Sequence, residues 1–357
     1  MSIFHSTKGR RAAGVLAAAI ATATVLAGCS STPDEGTGSG EAVDYGTLAV
    51  QLSWIKNEEF SGEFFADTNG YYTDAGFSEV TLTSGPSTGV AELLSGSADI
   101  ALSDAISVGT AVASDDAAPL KIVGTTFQKN PFTILSLADG GNILTPEDLI
   151  GKTIGVQDSN TSLFNAFLVA NDIDVADINV VPVQYDPSVL VNGDVDGFMA
   201  YITNESITVE SQGIEVSNLP FADNGLPFVA ETFTVTDEFL ASNREKIKAF
   251  LYAEILGWTD AVNDPEAGAV LAIENYCDVD FCPSIESSKL GAVAQALLIA
   301  TDDTVANGLF TITDDLQNET IASLAAAGLT VEASDLFDLS LLAEVYEEHP
   351  ELIKYMK

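Results

Sequence analysis

The sequence predicts a bilobed α/β protein with a ligand cleft between its lobes. Three observations carry that expectation. From residue 47 onward, short apolar strands alternate with helix-length stretches, which is the pattern of parallel sheets covered by helices. The alternation runs twice, with an extended segment around Pro131 between the two units and a long helical pattern at 237–262 after them. The 357 residues also suffice for two separate cores.

The elements follow in order. TLAVQLSW (47–54) reads as a strand and FSGEFFADTNG (60–70) as a short helix closed by Gly70. SEVTLTSG is a strand, GVAELLSGS a helix, ADIALSDA a strand, AISVGTAVAS a helix and LKIVGTTF a strand. QKNPFTILSL continues as extended chain into the second unit. There PEDLIGKTIGVQ leads into a strand, TSLFNAFLVANDI is a helix, INVVPVQY a strand, DPSVLVNGDV a helix, DGFMAYI a strand and NESITVESQG a helix. The last third is mostly helical and alanine-rich. These patterns divide the chain at 1–28, 29–46, 47–130 (first lobe), 131–228 (second lobe) and 229–357 (return to the first lobe and C-terminal helices).

The first 28 residues combine a basic start (Lys8, Arg10, Arg11) with an apolar run and small residues, which predicts a secretory signal. The ending Leu26-Ala27-Gly28-Cys29 resembles the bacterial lipobox, in which the cysteine is lipidated. The polar, Gly/Ser-rich stretch to residue 46 then serves as a flexible tether. Several acyl chains would hold the protein on the outer face of the cytoplasmic membrane, where one chain binds only marginally.

Charge narrows the partners. The chain has 53 acidic and 13 basic residues, and removing the three basic residues of the leader leaves a balance of −43. Such a surface repels nucleic acid and anionic lipid. Arg244 is the sole arginine after the leader, so a guanidinium fork for sulfonate, nitrate or phosphate is scarcely on offer, although backbone amides could still hold an anion. Cys277 and Cys282, separated by four residues in an exported chain, predict a small disulfide loop. Two thiolates with no histidine beside them make a poor zinc site. With His349 as the one histidine after the leader, a Ser-His-Asp or Cys-His set has no other base to use.

In open α/β sheets ligands bind beyond the carboxyl ends of the strands. The loops after Trp54, Gly85, Ser103, Gln157 and Tyr201 therefore converge. Trp54, Phe60 and Tyr201 supply aromatic faces, and Asn57 with Glu58 or Glu59 supplies a polar clamp for ring nitrogens. Ser84, Gly85 and Ser103 offer small side chains and backbone N–H groups, and Asp104 another carboxylate. Ser159, Asn160 and Thr161 stand at a helix start, where N–H groups are free or capped. Asn204 and Glu205 follow Tyr201.

In order and spacing, several segments resemble the thiamine-pyrimidine-precursor-binding proteins. These are solute-binding proteins of ABC importers related to the alkanesulfonate, taurine and nitrate binders. The segments are Trp54 with Asn57, Phe60-Ser61-Gly62 and Ala66, Gly70-Tyr71-Tyr72 and Gly76, TSGPSTGVAELLSGSADIALSDA, GKTIGVQ, GDVDGFMAYITNESITVESQG and VTDEFLASNREKIKAFL, and together they cover roughly 46–265. The resemblance implies a periplasmic-binding-protein-like fold of type II, with two α/β lobes joined by hinge crossings near 128–132 and 226–231. It also implies a monomer without cofactor or metal, which delivers a small heterocycle to the permease and ATPase subunits of its importer. Two departures bear on the ligand: Phe60 stands where pyrimidine-precursor binders often carry histidine, and TNES where relatives often have NEP. Riboflavin binders share an aromatic-Gly opening of this kind. The family's enzyme branch uses a cysteine-rich run and a histidine, and this chain has neither. Of the other classes, an exported enzyme would have to work with paired carboxylates. A structural lipoprotein would show repeats or an all-β pattern, which the sequence lacks.

Overall fold

A computed structural model describes residues 43–278 and 282–357. Cys29 and residues 1–42 lie outside the described part, so the signal, lipidation and most of the tether remain expectations. The described residues form ten strands in two five-stranded sheets, within one compact unit. The strands are β1 Gly46–Gln51, β2 Phe77–Thr83, β3 Ile100–Asp104, β4 Leu120–Phe127, β5 Phe132–Leu137, β6 Thr153–Gln157, β7 Asn179–Val183, β8 Gly197–Tyr201, β9 Val216–Pro220 and β10 Ala230–Thr236.

The first sheet runs β2-β1-β3-β10-β4 and the second β7-β6-β8-β5-β9. In both, the earlier strands pair in parallel, as βαβ connections require. The exception in each sheet is the strand that has just crossed over. β5 enters between β8 and β9, and β10 between β3 and β4, both antiparallel to their neighbours. This is the type II periplasmic-binding-protein-like fold. Sequence patterning identifies β1 to β8 to within a few residues but names neither β9 nor β10. VSNLP and AETFTVT are short, and their Pro and Thr content breaks the apolar alternation.

The two crossings run side by side. Asn130 N donates to Phe228 O at 2.9 Å, and Asn130 Nδ2 to Leu226 O at 3.0 Å. Phenylalanines fill the space around them: Phe132 packs near Phe221 and Phe228, and Phe167 stacks on Phe221 at 3.9 Å. One apolar cluster consequently extends from β1 through the crossings into the second lobe, while the other face of β8 has its own small core around Leu190 and Phe198.

The C-terminal helices build onto the first lobe. The helix Arg244–Asn263 packs along the helix Ser61–Thr68. The helix Ile285–Ile299 reaches further: it touches the turn Glu58–Phe60 of the first lobe and the helix Glu205–Glu210 of the second. Gly291 permits that approach, since a Cβ there would lie 2.6 Å from both Glu58 Oε1 and the Thr203 carbonyl oxygen. The disulfide is present: Cys277 and Cys282 are joined with their Cα atoms 6.1 Å apart.

Candidate functional site

A small cavity of about 40 Å³, partly open to solvent, lies between the carboxyl ends of the two sheets. Trp54, Ser103, Asp104, Asn160, Tyr201 and Glu205 line it, as the sequence suggests. Glu59, one of two glutamates considered for the clamp, lines it as well.

Each side chain is set by its element. β1 ends at Gln51, and the next turn carries Ser53 and Trp54 into the cleft. That turn is tied to the following loop: Gly85 N donates to Trp54 O (2.7 Å) and Ser87 N to Ser53 O (2.9 Å). Ser103, at the end of β3, turns its hydroxyl to the Thr88 carbonyl at 2.7 Å. Asp104 spends one carboxylate oxygen on the N–H groups of Ile106 (2.9 Å) and Ser107 (2.8 Å), capping the helix Ala105–Val112. In the second lobe, Tyr201 meets Phe132 edge-on at 4.6 Å. Its backbone N–H donates to Glu205 Oε2 at 2.8 Å, and the Trp54 side chain beside the same carboxyl favours its charged form. Asn160 is held by Gln157 Oε1 at 3.0 Å.

Several predicted residues lie elsewhere, for identifiable reasons. Asn57 is fully buried and caps the turn Glu58–Phe60 by accepting from Glu59 N at 2.9 Å. Glu58 points toward the helix Ile285–Ile299, near Ser288 and Gly291. Phe60 belongs to the core and packs edge-on to Phe64. The 3-10 turn sends successive side chains in different directions, so Glu59 alone of these four faces the cavity. Ser84 bonds Asp278 at the surface (3.3 Å). Gly85 is required by packing, because a Cβ there would stand 2.4 Å from the Ser53 carbonyl oxygen. Ser159 is outside the lining, and Asn204 is buried at the start of the helix Glu205–Glu210.

The residue that sequence reasoning missed is Glu231. It sits in β10 at a register shift between Ala230 and Thr232, with φ +49°. A non-glycine residue in that conformation is strained, and such strain concentrates at functional sites. The bulge swings the carboxylate out of the strand alternation and into the cleft. There it accepts from Ser53 Oγ (2.9 Å) and from the Tyr201 hydroxyl (2.9 Å), joining the two lobes. The signal in the sequence was a lone acid inside PFVAETFTV, a strand otherwise of apolar residues and threonine. Ser87, Thr88, Phe132, Met199 and Ala200 complete the lining and carry no such signal.

Electrostatically the cavity is one-sided. Among the described residues no Lys, Arg or His lines it. Burial pushes Glu231 up to about 7 and Glu205 up to about 7, and it raises Glu59 well above the usual carboxylate range. Glu59 is raised further by the charge of Glu231 and by a hydrogen bond to it. Two carboxyls in contact, with no cation near, hold a proton between them. Lys56, the nearest lysine in sequence, is turned away to Asp278 at 3.2 Å.

The comparisons agree with this architecture. Residues 57–268 match the family described as NMT1/THI5 like. A riboflavin-binding protein, RibY, of Chloroflexus aurantiacus is 25% identical over 256 residues, 70% of each chain. Among solved structures, the periplasmic nitrate-binding protein NrtA of Synechocystis superposes with a TM-score of 0.62 at 14% identity, covering 86% of this chain and 90% of its own. The alkanesulfonate-binding protein SsuA of Xanthomonas axonopodis, bound to MOPS, gives 0.60 at 15% identity, covering 82% and 96%.

Proposed function

The chain belongs to the NMT1/THI5-like family, and on that premise we propose that it is the solute-binding component of an ABC-type importer. Its two lobes capture a flat nitrogen heterocycle and deliver it to a permease driven by an ATPase. The observation that carries this reading is the lining of the cleft: aromatic side chains from both lobes, buried carboxyls, and no basic residue. A flat ring gains from the faces of Trp54 and Tyr201. Ring nitrogens and exocyclic amines find acceptors in Glu59, Glu205 and Glu231. An anion such as nitrate or a sulfonate would meet only those carboxyls and a few hydroxyls. The superposition with NrtA and SsuA therefore supports the fold and the transport role, while the lining argues for a different cargo. Thiamine-precursor-like aminopyrimidines fit the lining; riboflavin is the second candidate, favoured by the likeness to RibY.

The test is a thermal-shift screen of aminopyrimidines, riboflavin, purines, taurine and nitrate, followed by calorimetric titration of the best hit. A ligand present at about 100 times its Kd stabilises the folded protein by about 2.7 kcal/mol, a readily visible shift. Tight binding of taurine or nitrate together with no binding of any heterocycle would overturn the ligand class.

The delivery role also calls for a surface tether, for which Leu26-Ala27-Gly28-Cys29 is the motivation. Cys29→Ala is expected to move the protein from the membrane fraction to the soluble one; retention in the membrane fraction would reject the anchor.

A further inference from the structure

Building on the heterocycle-binding reading, we infer that Glu59 and Glu231 together form a cation subsite. The occupant would present a protonated amine or amidine-type group to them, and this group selects the cargo. Three features of the geometry lead there. Both carboxyls line the cavity. Glu59 is 3% exposed, and its Oε2 has no hydrogen-bond partner although the residue faces the cavity. Glu231 already accepts from Ser53 and Tyr201, so neither of those hydroxyls is free to serve Glu59 Oε2 at full strength. Ser53 Oγ does stand 3.4 Å from Glu59 Oε1, the other oxygen. Apart from the proton that Glu59 shares with Glu231, no group among the described residues donates to that buried oxygen, and a ligand N–H can take the place of that proton.

Among the described residues the groups facing the pair include no cation, so only a proton balances it. They are Glu58 from the same turn, Glu63 from the helix Ser61–Thr68, Asp104 from the end of β3, Tyr201 from β8 and Glu205 from the helix Glu205–Glu210. All are acids or phenols. A metal ion is a poor occupant, since among the described residues no group of three His, Cys, Asp or Glu is placed to hold one. A planar organic cation, by contrast, can stack on Trp54 or Tyr201 while its N–H groups reach the carboxyls.

The proton balance follows. At low pH both carboxyls are protonated and the pair is neutral. A bound cation then needs one carboxylate, so one proton leaves to the solvent and the site carries the ligand's positive charge against one negative charge. Since burial pushes Glu231 up to about 7, above that pH the carboxylate is already present and no proton is displaced. Affinity for a cation therefore falls as pH drops below neutrality.

The experiment uses benzamidine, a flat cation at both pH values, and benzamide, its uncharged isostere. Calorimetry or competition against the screening hit is run at about pH 8 and about pH 6. Benzamidine is expected to bind about tenfold or more tighter than benzamide at the higher pH, with that preference falling about tenfold at the lower. Glu231→Gln, an uncharged acceptor of the same shape, should remove both the preference and its pH dependence, read as the ratio of benzamidine to benzamide affinity within the variant. Glu59→Gln serves as the second variant, and melting curves without probe establish that each is folded. Benzamidine binding no tighter than benzamide, or an unchanged preference in both folded variants, overturns the subsite. So does calcium chloride displacing benzamidine. If a heterocycle from the screen still binds in any of these cases, the transport reading stands and only the cation subsite is lost; if nothing from the screen binds, the transport reading fails too.

Discussion

Two groups of buried carboxyls sit within the first lobe and its borders, and they are finished differently. In the cleft, Glu59 and Glu231 face an open volume, and one carboxyl oxygen lacks a donor. Between the helices Ser61–Thr68 and Arg244–Asn263, Glu63 and Glu254 lie outside the lining of the cleft. Glu63 accepts from the Trp258 indole at 3.3 Å, and Glu254 accepts from the Tyr72 hydroxyl. Aromatic rings seal this second group: Tyr72 stacks on Phe250, and Trp258 lies on Gly62, where a Cβ would be 2.3 Å from the indole ring. Both groups share burial and raised protonation. One oxygen is left without a donor in both, Oε2 of Glu63 and of Glu254 in the core and Oε2 of Glu59 in the cleft. What separates them is that the core pair is enclosed by packed side chains, while Glu59 and Glu231 line a cavity that an incoming molecule can enter. Burial of an acid, even with an oxygen left unpaired, thus says little about function until it is seen whether that group faces packed protein or an open site.

This contrast also explains what the sequence could and could not convey. The two α/β sheets were legible from periodicity, because strands and helices must bury an apolar face every second or every third to fourth residue. Trp54, Ser103, Asp104, Asn160, Tyr201 and Glu205 were legible because each follows a strand end, where such sheets place ligands. Asn57, Glu58 and Phe60 follow a strand end too, but a tight turn points them into caps and core. Polarity in a loop does not reveal the direction of a side chain. Glu231 was hidden for the opposite reason. It lies inside a strand, and only the bulge and the left-handed backbone reveal that it faces the cleft. The core acids Glu63 and Glu254 were equally hidden, since an acid on a helix in a chain this acidic reads as surface charge.

The largest effect that would sharpen the contrast is the pH dependence of stability. Burial pushes Glu63 up to about 8 and raises Glu254 well above the carboxylate range. For an acid raised in the folded state, the unfolded chain gives up its proton first. The stabilisation is therefore whole below the unfolded value near 4.5 and is lost as pH climbs to the folded value. For Glu63 alone the loss is on the order of several kcal/mol between about pH 5 and pH 8. The wild type is expected to melt at lower temperature at the upper end of that window. Glu63→Gln, which still accepts from Trp258, should recover part of the loss at pH 8 and change little at pH 5. A wild-type melting temperature that is equal or higher at pH 8 would refute the assignment.

A smaller effect probes the boundary between the regions, where the helix Ile285–Ile299 presses on both lobes. Gly291→Ala places a methyl group against Glu58 Oε1 and the Thr203 carbonyl. Overpacking of this kind costs about 1–3 kcal/mol. Because Thr203 belongs to the second lobe's side of the contact, the variant should also push the two sides of that contact apart and weaken ligand binding. Chemical denaturation and calorimetry measure the two effects separately. Wild-type values in both would mean that the helix does not bridge the lobes in solution.

The smallest expected effect decides between the two roles open to Asn57. As a ligand clamp, its loss would lower affinity and leave the fold intact. As a cap, its loss would lower stability and disturb affinity only through Glu59, whose N–H it holds at 2.9 Å. The structure places it outside the cavity lining and fully buried. Asn57→Ala is therefore expected to cost about 1 kcal/mol of stability, in the range for lost helix caps. Ligand affinity should fall no more than a few-fold, because Glu59 retains its place in the turn through the Phe60 N–H to Asn57 O bond at 3.3 Å. Asn57→Ser, which can still accept from that N–H, should restore most of the stability. Denaturant melts of the three proteins, paired with titrations of the same ligand, give the answer. An affinity loss of tenfold or more in Asn57→Ala with an unchanged melt would move Asn57 back into the clamp, and would show that the cleft reaches deeper behind Glu59 than its lining indicates.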